Sequence, residues 1–254
     1  MRYFLDFSYR GTDFHGSQSQ PNAVTVQQTM EEAFATILRT PVPLTFAGRT
    51  DAGVHARMMV AHFDFQQPLP DKFVHRLNSL LPDSIAIRAI YPVHDEAHAR
   101  FDACSRTYRY YISSAKQPFT SLIRTRVAPG LDFEAMNQAA KLMLGRQDFA
   151  SFCRVHTDVK TTFCTVTEAY WTVEDETNAY FTITADRFLR NMVRAVVGTL
   201  FEVGRHQLAI PQFAEVIKAQ NRSAAGHSAD AKGLFLEQIK YPVTISINNK
   251  KLSL

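Results

Sequence analysis

Apolar residues occupy every second position of RYFLDFSY (Tyr3, Leu5, Phe7, Tyr9), and the chain returns repeatedly to strand-like runs between helical stretches. That alternation restricts the fold to sheet with one buried face and helices laid against it. Between the strands, TVQQTMEEAFATILRT carries Val26, Met30, Phe34, Ile37 and Leu38 at helical spacing, with Thr25 placed to accept from the first free amides. DKFVHRLNSLLP reads as a second helix, stopped by Pro82. From SIAIRAIYPV through ARFDACSRTYRYYISS the chain reads as strand, so the first half runs strand, helix, strand, helix, strand. In the second half, Asp132 caps FEAMNQAAKLMLG and Gly145 ends it. CTVTEAYWTVED and NAYFTITAD form a hairpin about DETN, RFLRNMVRAVVGTLFEVG and PQFAEVIKAQ are helical, and GLFLEQIKY and VTISINNK are the last strands. The order of elements is similar in both halves, without a sequence repeat or a flexible linker. The expected architecture is α+β, with two similar α/β halves sharing a mixed, mainly antiparallel sheet and helices packed on it. Residues 1–104 would form the first half and 105–254 the second.

A chain of 254 residues, 46% hydrophobic and 20% charged, is too apolar for a disordered polymer and long enough to bury a core without disulfides or metal. The three cysteines, Cys104, Cys153 and Cys164, show no metal-like pairing and read as reduced thiols. No apolar run reaches membrane-spanning length and the first residues have no signal core, so a cytoplasmic protein without membrane association is expected. The net charge of +4 favours polyanions only mildly.

Chemistry concentrates in three stretches. GRTDAGVHAR puts Asp51 between Gly48 and Gly53, with Arg49, His55 and Arg57 nearby. Such a carboxylate either caps a turn or is kept ionised by cationic neighbours for use as a nucleophile or base. A metal site drawn from Asp51, His55, His62 and Asp64 is the competing reading, and its spacing follows no metal-binding pattern. FLRNMVR, read as helix, sets Arg190 and Arg194 one turn apart, where like charges repel unless an anion relieves them. SRTYRYY, read as strand, points Arg106, Tyr108 and Tyr110 to one side and Arg109 and Tyr111 to the other. An arginine beside an aromatic ring can hold a phosphate and support a base, although a packed tyrosine layer has the same pattern. No GxGxxG or GxxxxGK is present, which argues against nicotinamide and ATP.

Together with YRGTDFHGSQ, RFDACSRTYRYYI, GRQDFASFC, TTFCTV and AKGLFL, these stretches resemble the TruA-type tRNA pseudouridine synthases in order and over nearly the whole chain. The resemblance implies isomerisation of uridine to pseudouridine at positions 38, 39 and 40 of the tRNA anticodon stem-loop, by a homodimer using no cofactor and no metal. It makes Asp51 the catalytic aspartate, acting on the ribose C1′, and Arg49 the residue that helps turn the target base out of the helix. Tyr108 becomes the ring that stacks on uracil and Arg194 the partner of the aspartate, with His55 and Arg106 as further substrate contacts. A catalytically silent tRNA-binding protein of the same fold is the alternative; it would be expected to lack Asp51 or its arginine. Members of the family usually carry tryptophan where Ser17 stands, and GQV where this chain has Met58, Met59 and Val60. The reaction needs no redox change: the N1 to C1′ bond breaks, the uracil turns, C5 joins C1′, and the C5 proton leaves. Water must be kept from the intermediate, and extrusion of the nucleotide costs a few kcal/mol.

Overall fold

In the computed structural model, which describes residues 1–154, 160–242 and 245, the chain divides into two compact units. Met1–Cys104 and the chain from Leu236 onward form the first, and Ser105–Phe235 the second.

The first unit is built on β1 (Arg2–Tyr9), whose alternating apolar side chains are almost all buried. After β1 the chain forms α1 (Val26–Leu38), β2 (Thr45–Phe46), β3 (His55–Asp64), α2 (Phe73–Leu80) and β4 (Ile85–Val93). β1 lies between β3 and β4, antiparallel to both, with Leu5 opposite Ala61 on one side and Ile90 on the other. The order of strands is β4-β1-β3, followed by the portion of β10 (Leu234–Lys240) that belongs to this unit, with β2 paired to β3. Thr25 caps α1, its hydroxyl accepting from Gln28 N at 3.3 Å. The apolar stripe of α1 reaches the sheet through Phe34, which is fully buried edge-on to Phe63 at 5.1 Å and to Phe73 of α2 at 5.4 Å. α2 ends at Leu80 because Pro82 forces Leu81 into an extended conformation (ψ 148°).

The second unit contains β5 (Ser105–Ser113), β6 (Thr125–Arg126), α3 (Phe133–Lys141), β7 (Gly145–Asp148), β8 (Phe163–Val173), β9 (Asn178–Ala185), α4 (Met192–Gly204) and α5 (Ile210–Lys218). Its strands run β5-β9-β8-β7 in antiparallel neighbours, and β6 adds a short parallel pair to β5. β8 and β9 form the hairpin expected around DETN, where Asp175 accepts from Thr177 and Asn178. One face of this sheet packs on helices. Tyr110 meets Phe201 of α4 at 6.2 Å, and Trp171 sits against Phe133 of α3 at 5.7 Å and Phe201 at 5.8 Å. Asn137 of α3 grips β8, accepting from Trp171 N at 2.7 Å and donating to its carbonyl at 3.3 Å.

Several elements differ from the sequence expectation. Residues 94–104 are an irregular connection and not strand; several of their backbone groups are met by side chains, as when His98 N donates to Asp102 Oδ2 at 2.7 Å. Asp132 does cap α3, accepting from Ala135 N at 2.9 Å, but the helix stops at Lys141, and Gly145 (φ 90°) opens β7 instead of ending the helix. α4 begins only at Met192, because Asn191 is left-handed (φ 66°) and breaks the backbone ladder after Arg190. The expected strand VTISINNK lies, Ile245 apart, outside the described residues.

Candidate active site

The turn carrying Asp51 is fixed from several sides. Thr50 is buried: its amide donates to Ser17 Oγ at 2.8 Å, its carbonyl accepts from Ser17 N at 3.2 Å, and its hydroxyl shares a 2.8 Å hydrogen bond with that of Tyr9. Val54 N closes the turn onto the Asp51 carbonyl at 3.2 Å, and Gly53 (φ 78°) donates to Phe14 O at 3.3 Å. The GTDFHG segment lies directly against this backbone. A Cβ on Gly16 would stand 2.9 Å from Thr50 O, so only glycine fits there. Asp51 is half-buried, and Arg49, two residues earlier, is exposed with no hydrogen bond or ion pair among the described residues. Two consequences follow: the backbone that carries the Asp51 carboxylate is fixed, and the Arg49 guanidinium is left in water, available to a phosphate.

His55 and Arg57 serve the loop differently from what their sequence position suggests. His55 is wholly enclosed, and its Nδ1 accepts from Gly11 N at 3.0 Å, so it braces GTDFHG against β3. Arg57 projects to Glu237, with Nε 3.2 Å from the carboxylate. The other members of the competing metal set are engaged elsewhere. His62 Nδ1 accepts from Ala99 N at 3.2 Å and Asp64 is paired with Arg2 at 2.7 Å; among the described residues no cluster of three metal-ligating side chains occurs.

In the second unit, Tyr108 is half-buried on β5 opposite Ile183, its ring edge-on to Phe188 at 5.0 Å. Arg106, on the same side of the strand, donates from Nη1 to Asp186 O at 2.8 Å. Arg109 and Tyr111 take the opposite face, where both meet the Tyr180 ring, Arg109 at 4.7 Å and Tyr111 at 5.5 Å. Phe188, the first residue of the FLRNMVR stretch read as helix, thus sets the tilt of the Tyr108 ring.

Arg194 sits in the first turn of α4, where the helix dipole disfavours a cation. Its Nε donates to Ala229 O at 2.7 Å, and Ala229 N returns a bond to the Arg194 carbonyl at 2.9 Å. The segment 226–230 is lashed to α4 by further contacts: Asn191 Nδ2 donates to Ser228 Oγ at 2.7 Å, and Gly198 has no room for a Cβ beside His227 O. Arg190 precedes the helix and is exposed, so it does not stand one helical turn from Arg194 as expected from the sequence. The sequence carried no sign of the Ala229 contribution, because that residue offers only its backbone.

The profile of the tRNA pseudouridine synthases matches residues 7–102 and 139–242, which include the Asp51 turn and the Arg194 helix. The chain belongs to the tRNA pseudouridine synthase family. Its relatives match it along nearly their whole length. It is 53% identical to the tRNA pseudouridine synthase A of Parabacteroides distasonis, over 95% of this chain and 96% of the relative. It is 51% identical to that of Bacteroides fragilis (96% and 98%) and 52% identical to that of Porphyromonas gingivalis (95% and 97%). The protein is therefore an isomerase that converts uridine to pseudouridine in tRNA, and the α+β architecture is that of this synthase family. No helix among the described residues is long and apolar enough to cross a membrane.

Proposed function

We propose that this synthase acts on uridines 38, 39 and 40 of the tRNA anticodon stem-loop as a cytoplasmic homodimer that needs no cofactor, with Asp51 acting on the ribose C1′ of an extruded nucleotide. The observation that carries the reading is the Asp51 turn. A half-buried carboxylate is held on a backbone fastened to Ser17, Tyr9 and Phe14, beside an exposed arginine. Pre-positioning of this kind lowers the cost of bringing a nucleophile or base onto a sugar carbon. Arg49 is assigned to the phosphate of the turned-out nucleotide, and Tyr108, steadied by Phe188, to stacking on uracil; stacking offsets the lost helix contacts. Arg194 is assigned to the charge of the reacting carboxylate. Arg106 supports the edge of β5 next to the tyrosine, and His55 serves the turn as a strut. A dimer doubles the basic surface offered to the tRNA body, which a chain of net charge +4 has in short supply.

Asp51→Asn keeps the size of the side chain and removes its charge. The variant is expected to bind tRNA as the parent does while losing at least four orders of magnitude in single-turnover rate, read as tritium release from C5-labelled uridine. A variant retaining a tenth of the parental rate would exclude Asp51 as the reacting group. Mapping pseudouridine in the product tRNA checks the positions independently.

A further inference from the structure

The connection between β4 and β5 exposes a large aromatic side chain that packing does not explain. Phe101 is 73% exposed. Phe119 is also fully exposed, but it has no ring or cation neighbour among the described residues and sits on a plain turn. Phe101, in contrast, is mounted. Its ring lies 4.2 Å from that of His98, tilted by 34°, and the Arg100 guanidinium is 5.8 Å from its centroid. The amides of Arg100 and Phe101 both donate to His98 Nδ1, at 3.1 and 3.4 Å. His98 in turn packs edge-on against His62 of β3 at 4.6 Å, and its amide is held by Asp102. Ala99, between them, is clamped from both sides, its amide to His62 Nδ1 and its carbonyl to the Tyr241 hydroxyl at 2.5 Å. Arg2 secures the start of the turn by donating to Ala97 O at 2.9 Å.

We propose that the Phe101 ring, with Arg100 beside it, is a stacking platform for an unstacked nucleotide of the substrate tRNA, separate from the uridine being isomerised. Three observations favour RNA over another occupant. A flat ring with an adjacent guanidinium matches a base and its phosphate, and stacking of this kind needs no particular base. The turn is ordered by side chains from β1, β3 and the segment after β10, so little conformational entropy is lost when a base lands on it. The family's substrate is a tRNA, whose loop nucleotides can be splayed out onto such a surface. The inference rests on tRNA being the substrate and is independent of which uridine reacts.

The test compares Phe101→Ala, Phe101→Leu and Phe101→Trp with the parent, measuring the dissociation constant of an unmodified tRNA transcript, KM and kcat for pseudouridine formation, thermal melting and sedimentation. Loss of a stacked base corresponds to roughly a 5- to 150-fold weaker complex. The alanine and leucine variants are expected to show that loss in binding and in KM, with kcat at saturating tRNA and the melting temperature unchanged, and tryptophan is expected to restore binding. Alanine or leucine binding within twofold of the parent would overturn the proposal, as would a tryptophan variant as weak as alanine. Altered sedimentation of the free protein with unchanged tRNA affinity would also overturn it and assign the ring to a protein contact. If the parent itself formed no pseudouridine in tRNA, the functional reading would fail; the binding comparison would still decide the role of Phe101.

Discussion

At the scale of single residues, Ser17 shows how one small side chain can anchor the Asp51 turn. Its side chain is fully enclosed, and it meets Thr50 twice, through Oγ to the Thr50 amide and through its own amide to the Thr50 carbonyl. Its carbonyl also accepts from Gln27 N at 3.0 Å, which ties the Asp51 turn to the start of α1. A small hydroxyl and direct hydrogen bonding thus anchor the turn. Ser17→Ala removes the acceptor and leaves the Thr50 amide buried without a partner, a cost of about 1–3 kcal/mol. Chemical denaturation should register that loss. Turnover should fall more than tRNA affinity, because the displaced backbone is the one that carries Asp51; equal kcat in parent and variant would separate the Ser17 anchor from catalysis. The tight turn at Asp51 was legible in the sequence from Gly53, which takes the left-handed φ of 78°. The enclosure of His55 was not, since a histidine on a strand reads the same whether its ring faces water or Gly11 N.

At the scale of elements, the turn at 97–102 depends on neutral imidazoles. His62 and His98 both accept backbone amides through Nδ1, which a protonated ring cannot do. Burial, followed by the nearby Arg2 charge, pushes His62 from the usual 6.5 down to about 4 and lowers His98 as well. Asp64 and Asp102 pull the other way but do not prevail. Because the folded pKa lies below the unfolded one, the contribution is complete above about pH 6.5 and is lost as pH falls towards 4. For His62 it is on the order of 3 kcal/mol. His62→Asn keeps an acceptor near the Nδ1 position and cannot titrate. Melting curves of the variant between pH 7 and 4 should therefore show a shallower acid slope than the parent; identical slopes would dismiss His62 as the source. The sequence indicated strand through this stretch because ARFDAC shares the apolar content of its neighbours, and it could not reveal that side chains replace a strand partner. Helix ends divided in the same way. Thr25 and Asp132 act locally and were readable, whereas Gly145 and Asn191 owe their left-handed conformations to where the chain must go next.

At the scale of the whole molecule, the alternating pattern was enough to indicate strands and helices in the right order, while the ownership of β10 was not readable from it. Leu234 and Phe235 belong to the second unit, and from Leu236 the same strand lies beside β3 in the first. Lys240 O accepts from Cys104 N at 2.7 Å, and Ile239 N contacts Met58 Sδ at 3.5 Å, so the first unit is finished by residues far from it in sequence. A chain terminated after Gly233 should leave β3 without that neighbour, and an open strand edge invites pairing between molecules. Such a truncation is expected to move most of the expressed protein into the insoluble fraction, and a soluble monomer with parental circular dichroism would show that β10 is dispensable. The arrangement also sets a timetable on the ribosome. Met1–Cys104 emerge before the second unit but wait for their last strand until that unit has been made, and the later-made unit has all its chain available before the earlier one can close. The first unit, which holds Asp51, is thus the last to be completed, so a product interrupted before Leu236 would carry Asp51 on an unfinished sheet.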